Sequence, residues 1–322
     1  MRALVKTERL RGHVVLREVE LPKPQKDDVL IRIHAASVCG SDLHAYRYDP
    51  SYSFMAVPVI LGHELSGIVE EVGEGVTDVK PGDRVIVESN VSCGRCAYCL
   101  AGDHHICEHY RVRGLHLDGG FAEYICTKVY DVHRIRADLD LLRAVWTEPL
   151  VVVVHAIKDR AQIREGDYVA VFGPGPIGIL AAQVIRTVGA VPVIIGLGSD
   201  EEARLPAARA LGIRTVNLSK QAIGKVMGEL KCGAFDCIID CSGSTTAIET
   251  GISVLKKRRA VDTCRFVFRF ICIRSFDYRS TRNSNRGQLC LQETKLSNSV
   301  GTVILGSCRS RIDHDGFQLG AV

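Results

Sequence analysis

Residues 168–178 read Tyr168-Val-Ala-Val-Phe-Gly173-Pro-Gly-Pro-Ile-Gly178. A short apolar run ends in three glycines spaced G-x-G-x-x-G. The run predicts a buried strand, and Ile179 to Val188 carries apolar residues at helical spacing. The glycines therefore sit between a strand and a helix, the context that gives their spacing meaning. Glycine permits a tight turn and close approach of backbone to a pyrophosphate, and the following helix offers unpaired N–H donors. Gly173, Gly175, Pro176, Ile177 and Gly178 are thus candidate dinucleotide contacts. A glycine-rich turn that holds nothing is the structural alternative.

The grammar continues outward on the C-terminal side. Val193-Ile-Ile reads as the next strand, Glu201 to Leu211 as a helix, and Phe235-Asp-Cys-Ile-Ile-Asp240 as a further strand. Alternating strands and helices with short turns predict an α/β domain with a doubly wound parallel sheet. An acidic residue about 20 positions beyond the glycines holds the ribose of NAD in such folds. Here the second strand ends in Gly196. Asp200 is the candidate to reach back to the ribose, and Arg204 the candidate to receive a 2′-phosphate. The reading leans to NAD with NADP as the alternative, and the ratio of Km values for the two decides it.

Outward on the N-terminal side, residues 1–150 read as strands and turns. Val29-Leu-Ile-Arg-Ile-His34 alternates in part, and Asp83-Arg-Val-Ile-Val87 has strand composition. Pro81-Gly-Asp83 and Asp118-Gly-Gly120 mark turns. This predicts a β-rich domain with its chemistry in loops. One loop holds Cys93-x2-Cys96-x2-Cys99-x7-Cys107. Four thiolates so spaced can close a tetrahedral shell around zinc and leave no open position. Buried or free cysteines that merely lie close together are the alternative. His104 and His105 lie in the same loop and read as surface residues.

A second constellation is dispersed: Cys39 in Val38-Cys-Gly-Ser-Asp-Leu-His44, then Gly62-His-Glu64, then Glu148 in Thr147-Glu-Pro-Leu150. A thiolate, an imidazole and a carboxylate make a three-ligand site with an opening for water or substrate. Each fragment alone is weak, since a lone cysteine is more often a small core residue.

Together the fragments resemble the zinc-dependent medium-chain dehydrogenase/reductase family, nearest to its sorbitol, threonine and butanediol dehydrogenases. Gly62-His-Glu-Leu-Ser-Gly67-x5-Gly73-x2-Val76 is similar to that family's zinc signature. Val38 to His44 resembles its first-ligand motif, and Cys93 to Cys107 its structural-zinc lobe. Gly119-Gly-Phe-Ala-Glu-Tyr124 also matches. The resemblance runs from about residue 1 to Lys257. It implies a GroES-like catalytic domain over 1–150 and a Rossmann-type domain, incomplete at its C-terminal end, over 151–257. It further implies two zinc ions: a structural ion on Cys93, Cys96, Cys99 and Cys107, and a catalytic ion on Cys39 and His63. Glu64 and Glu148 are the candidates for a further ligand or close neighbour of the catalytic ion. Ser41 and His44 match positions used for proton relay. The implied reaction passes hydride from a secondary alcohol (polyol, diol or amino alcohol) to NAD(P). Relatives of this kind are homodimers or homotetramers.

Composition agrees with that class. Hydrophobic residues make up 46% and charged residues 24% of the 322, as in ordinary globular proteins. No apolar run is long enough to span a membrane, and the first residues lack a secretory apolar core. Thirteen cysteines without an export signal predict a reducing, cytoplasmic setting and metal binding rather than disulfides.

The last fifth departs from this grammar. From Lys256 to Val322 there are 13 Lys/Arg against 5 Asp/Glu, whereas the rest holds 28 against 32. Arginines interrupt the apolar run Arg265-Phe-Val-Phe-Arg-Phe-Ile-Cys-Ile-Arg274, and neither helix nor strand period persists. One permitted codon choice for residues 258–269, read one base later, spells GGRLTHVGLFSG, close to what the family carries there. Residues 258–322 therefore read as an anomalous basic tail translated out of frame after Lys257. That predicts a poorly folded or inactive chain, a zinc-binding remnant of such an enzyme. A basic appendage that binds nucleic acid is the least favoured reading, because such segments usually extend intact folds.

Overall fold

The computed structural model describes residues 1–256, 261–263 and 271–275. Met1–Val151 fall in one compact unit and the described residues from Val152 onward in a second.

The first unit is built from antiparallel sheets. Strands β1 (Arg2–Lys6), β2 (Val14–Glu18), β3 (Asp28–Ser37), β4 (Val59–Ile60), β5 (Glu64–Val72), β6 (Arg84–Val87), β7 (Asn90–Val91), β8 (Arg111–Val112), β9 (Tyr124–Lys128) and β10 (Val132–Arg134) follow one another. They form a three-stranded sheet ordered β2-β1-β4, a five-stranded sheet ordered β10-β6-β5-β3-β9, and the pair β7-β8. The five-stranded sheet buries Val29, Ile31, Leu65, Val69, Val85, Val87 and Ile125 on one side. Each such side chain contributes about 1.5–3 kcal/mol by leaving water.

The long ladder between β3 and β5 decides where the chemistry lies. Its register shifts between Leu30 and Ile31 and again between Ile33 and Ala35, and its last pair is Ser37 opposite Glu64. The chain leaving β3 toward Cys39 and the chain arriving at β5 through His63 therefore run side by side. A slip of one residue would turn every side chain to the opposite face.

Cys39 does not lie in a plain loop. It is the N-cap of helix α1 (Gly40–Arg47), which carries Ser41 and His44. Sequence reading missed this helix because its eight residues have no sustained apolar period. A local capping bond and a long-range anchor hold it. Asp42 Oδ2 accepts from the Cys39 backbone N–H at 2.8 Å. At the other end, the buried Lys6 ammonium donates to the Tyr46 carbonyl at 3.1 Å and to the Gly12 carbonyl at 2.6 Å. A cation there also complements the negative end of the helix dipole. The remaining helices of this unit are short: α2 (Ala97–Leu100), α3 (Leu141–Ala144) and the start of α4 (Thr147–Val154).

In the second unit, β11 (Tyr168–Phe172) occupies the apolar run read from the sequence. It is followed by α5 (Pro176–Thr187), β12 (Val191–Gly196), α6 (Arg204–Ala210), β13 (Arg214–Asn217), α7 (Ile223–Leu230), β14 (Cys237–Asp240) and α8 (Thr245–Ser253). Strands β13, β12, β11 and β14 are parallel neighbours. Phe172, Ile195, Val216, Phe235 and Ile238 form their buried core. This is the expected α/β architecture, with helices between parallel strands.

Two expectations are corrected here. The sheet is mixed, because β16 (Ile271–Ser275) pairs antiparallel with β14, and β15 (Val261–Thr263) pairs antiparallel with β16. The stretch after Arg258 was read as lacking strand grammar, yet it supplies both strands. The physical reason is that an uncovered β14 would leave a row of backbone donors and acceptors without partners. A segment of β-prone sequence can satisfy them even when arginines interrupt its pattern. The rest of the suspected out-of-frame tail lies outside the described residues. Among the described residues no helix is long and apolar enough to cross a membrane.

Candidate metal centres and dinucleotide cradle

The β3/β5 register brings Cys39, His63 and Glu64 together, each offering a ligand atom within 4.8 Å of the others. His63 and Glu64 are buried. Glu64 Oε2 accepts a hydrogen bond from Ser37, its partner across the ladder. His63 Nε2 lies 3.3 Å from Ser41 Oγ. Its Nδ1 faces Asp42 Oδ1 at 3.7 Å, and neither of these two buried atoms has a hydrogen-bond partner. Glu148 is not part of the close set, but its charge acts on His63. Ser89 Oγ donates to Glu148 Oε1 at 2.8 Å.

The electrostatics of this site are lopsided. Burial alone would depress the His63 imidazolium, but the Cys39 thiol and the carboxylates of Glu148 and Asp42 overrule it and hold it up to about 10. Burial raises both Glu148 and Asp42. One imidazole is thus surrounded by a thiol and three carboxyl groups in a largely buried site. A divalent cation satisfies such a set, and one sulfur, one nitrogen and one oxygen donor suit zinc with an open position. The residues present fit the ion.

His44 lies further along α1. Its Nδ1 pairs with the Asp49 carboxylate, and its ring stacks on Tyr52 at 5.3 Å between centroids. Those contacts leave Nε2 as the nitrogen for exchange with a neighbour or with water.

The second cluster is compact. Cys93, Cys96, Cys99 and Cys107 place their sulfurs within 4.8 Å of one another. The nine cysteines from Cys39 to Cys241 are all free thiols. Backbone N–H groups, first that of Cys99, pull the Cys96 thiol down to about 6, whereas burial and its sulfur neighbours push Cys99 up to about 12. Four such sulfurs cannot all ionise together without a cation between them, which is the condition a closed zinc site meets. His104 pairs with Ser92 Oγ at 3.1 Å and is not in the sulfur set.

Arg113 supports the Glu148 side of the first centre. Its backbone N–H donates to the Ser89 carbonyl at 2.9 Å, and its Nε donates to the Glu88 carbonyl at 3.1 Å. Its Nη2 lies 2.8 Å from the buried Asp131 carboxylate. Arg113→Leu leaves that carboxylate buried without its cation, so it is expected to cost about 3–5 kcal/mol, read as a lowered urea midpoint.

In the second unit the glycines make a cradle. Gly173 has φ +97°, and a Cβ there would lie 2.9 Å from backbone atoms of Cys241 and Ser242. A Cβ on Gly178 would lie 1.9 Å from the Gly173 carbonyl oxygen. Gly175 caps α5 and faces open space, with Pro176 as the first helical residue and no acidic residue in the first turn. Ile177 follows within that turn. The positive helix end is thus uncompensated and reachable, which fits a pyrophosphate. Gly178→Ala is expected to cost about 1–3 kcal/mol in thermal stability and to weaken dinucleotide binding in a fluorescence titration.

Sequence reading missed Ser37, Asp42, Ser89, Asp49 and Arg113. Only Asp42 had a local signal, an acid three residues after a helix N-cap. The others reach the site through pairing that no local pattern shows.

The chain is similar to known proteins in sequence and in fold. The profile of the alcohol dehydrogenase GroES-like domain matches residues 25–137, and that of the zinc-binding dehydrogenase domain matches residues 176–261. A sorbitol dehydrogenase from Halalkalibacterium halodurans is 41% identical over 261 residues, covering 80% of this chain and 75% of that protein. A crystal structure of a Sinorhizobium meliloti protein, described as a zinc-binding dehydrogenase and bound to NADP, is 32% identical with a TM-score of 0.72. It covers 79% of this chain and 73% of the other. Galactitol-1-phosphate dehydrogenase from Escherichia coli is 31% identical with a TM-score of 0.70, over 79% of this chain and 72% of that one. With its two donor sets, its glycine cradle and these relatives, the chain belongs to the zinc-dependent medium-chain alcohol dehydrogenase family.

Proposed function

We propose that the chain is an oxidoreductase that passes hydride from a secondary alcohol, most readily a polyol, to NAD(P). The observation that carries this reading is the convergence of Cys39, His63 and Glu64 within 4.8 Å at the end of the β3/β5 ladder. In this proposal residues 1–150 supply the catalytic domain and 151–257 the dinucleotide-binding domain. Cys39, His63 and Glu64 hold the catalytic zinc, with Glu148 as the neighbouring carboxylate that Ser89 keeps in place. Cys93, Cys96, Cys99 and Cys107 hold the structural zinc. When bound, the catalytic ion supplies a Lewis acid for the substrate hydroxyl and the nicotinamide supplies the hydride acceptor.

The chain's own residues manage the proton. Ser41 Oγ, beside His63 Nε2, takes the hydroxyl proton of the alcohol. His44 carries it outward at Nε2, because Asp49 occupies Nδ1 and the Tyr52 ring fixes the plane. A positioned acid–base group of this kind contributes typically 10²–10⁴-fold. His44→Gln is therefore expected to lower kcat by roughly a hundredfold with little change in zinc content. An unchanged kcat would remove His44 from the relay.

Sorbitol and galactitol-1-phosphate name the substrates of two relatives, and polyols are the class we carry over. The nine free thiols from Cys39 to Cys241 support work in a reducing compartment such as the cytoplasm. Assembly into a dimer or tetramer is part of the same proposal. The test is alcohol-dependent formation of NAD(P)H across a panel of polyols, diols and amino alcohols, abolished by chelator and restored by zinc. Retention of two zinc ions with no oxidation of any alcohol would instead support a non-catalytic remnant.

A further inference from the structure

Resting on the proton relay proposed above, we infer that Phe54 and His116 are positioning residues for His44. They hold its ring through a column of stacked side chains that runs from α1 to the four-sulfur cluster. A relay histidine must present one nitrogen at a fixed angle, and an imidazole held at a single atom still rocks about that bond.

Both groups that fix His44 come from one short stretch. Asp49 pairs with Nδ1, and Tyr52 stacks on the ring face. The Tyr52 backbone N–H donates to the Asp49 carbonyl at 2.7 Å, so the two sit together on the single helical turn Pro50–Tyr52. That turn lies past the end of α1, which Tyr48 closes with φ +52°. A support outside α1 is therefore needed to keep the turn, and with it the His44 ring, in one place.

The support is a run of rings. The buried Tyr52 stacks on Phe54 at 5.6 Å between centroids, and Phe54 stacks on His116 at 5.1 Å. Successive planes differ by 19° from His44 to Tyr52, 29° to Phe54 and 21° to His116, so each ring lies face to face with the next. Ring pairs so arranged attract one another beyond their burial. His116 is itself pinned. Its Nδ1 accepts from the Val112 backbone N–H at 3.1 Å, and Tyr110 meets it edge-on at 6.3 Å and 69°. Burial, aided by Arg111, pushes the His116 imidazolium below its usual range, which suits a neutral ring that accepts at Nδ1. The Ala56 N–H donates to the Leu115 carbonyl at 2.7 Å and ties the same two loops a second time. Tyr110 in turn packs against Cys96, Cys99 and Cys107. The cysteine lobe thus anchors the far end of the column whose near end is His44.

The test compares the purified full chain with Phe54→Leu, which removes a ring but fills much of its space, and with His116→Ala and His116→Phe. Modification of His44 by diethyl pyrocarbonate, read by peptide mass spectrometry, needs no turnover. His44 is expected to react faster in Phe54→Leu and in His116→Ala than in the parent. In turnover, Phe54→Leu is expected to lower kcat about tenfold, a part of the 10²–10⁴ that a placed acid–base group typically supplies, with KM and zinc content unchanged. His116→Phe, which restores a ring, should recover most of the rate lost in His116→Ala. In a His44→Gln background, Phe54→Leu should cost nothing further, because the residue it positions is gone. Unchanged His44 reactivity in a folded Phe54→Leu chain would overturn the inference. A raised KM at unchanged kcat would overturn it as well and make these rings a wall of the alcohol pocket. So would equal losses from Phe54→Leu with and without His44. If His44→Gln leaves kcat unchanged, the relay reading falls and takes the inference with it. If the chain oxidises no alcohol, the reactivity of His44 decides alone.

Discussion

Replacing Cys39 by alanine is expected to lower alcohol-dependent NAD(P)H formation by about a thousandfold or more. The same change should reduce zinc content from two ions per chain to one. Cys39 is the only sulfur in the set with His63 and Glu64. A Lewis-acid contribution of several kcal/mol, at 1.36 kcal/mol per tenfold in rate, corresponds to ~10³ or greater. The fold should survive, because Cys39 is only half-buried and the α1 start is also held by Asp42. A melting temperature close to the parent's, together with the lost ion, separates a site defect from unfolding. A Cys39→Ala protein as fast as the parent would remove this centre from the chemistry.

The second large effect concerns the other cluster. Cys96→Ser is expected to release the structural ion and destabilise the first unit by several kcal/mol, or about 10 °C in Tm at ~2–4 °C per kcal/mol. Zinc binding to such closed sites is worth ~10–16 kcal/mol in small zinc-finger peptides. Whole domains hold only ~5–15 kcal/mol of net stability. The loop from Cys93 to Cys107 has little else to order it, for its core is the four sulfurs with Tyr110. Limited proteolysis should therefore cut within residues 93–107 in the variant and not in the parent. An unchanged cleavage pattern and Tm would show that the sulfurs pack without metal.

Much of the second unit was legible because its signals are local. The run Tyr168–Phe172 is β11 residue for residue, and the glycines fall between β11 and α5 as their spacing requires. The helix expected over Glu201 to Leu211 begins three residues later, at Arg204, because Gly198–Asp200 form a separate tight turn. Turn residues capped by an acid look like a helix start in one dimension. Strand β13 and helices α7 and α8 were not anticipated, since each is short and draws its stability from the sheet core.

The metal centres divide in the same way. Cys93, Cys96, Cys99 and Cys107 lie within fifteen positions of one another, so their spacing alone announced a shared ion. Cys39 and His63 are far apart in sequence, and what joins them is the pairing of Ser37 with Glu64. That register follows from two irregularities in the β3/β5 ladder, which no periodicity reveals. The resemblance to a family supplied what the local pattern could not. For the same reason Ser37, Ser89 and Arg113 went unseen, each being an ordinary residue until tertiary pairing places it beside a carboxylate.

The account rests on two distinct zinc centres of unlike composition. Zinc analysis combined with X-ray absorption at the zinc edge tests this most directly. Two ions per chain are expected, with an average of about 2.5 sulfurs per zinc at ~2.3 Å and the balance nitrogen and oxygen at ~2.0–2.2 Å. A single ion per chain bound by four sulfurs would mean that Cys39, His63 and Glu64 hold no metal, and the dehydrogenase chemistry assigned to them would have no centre.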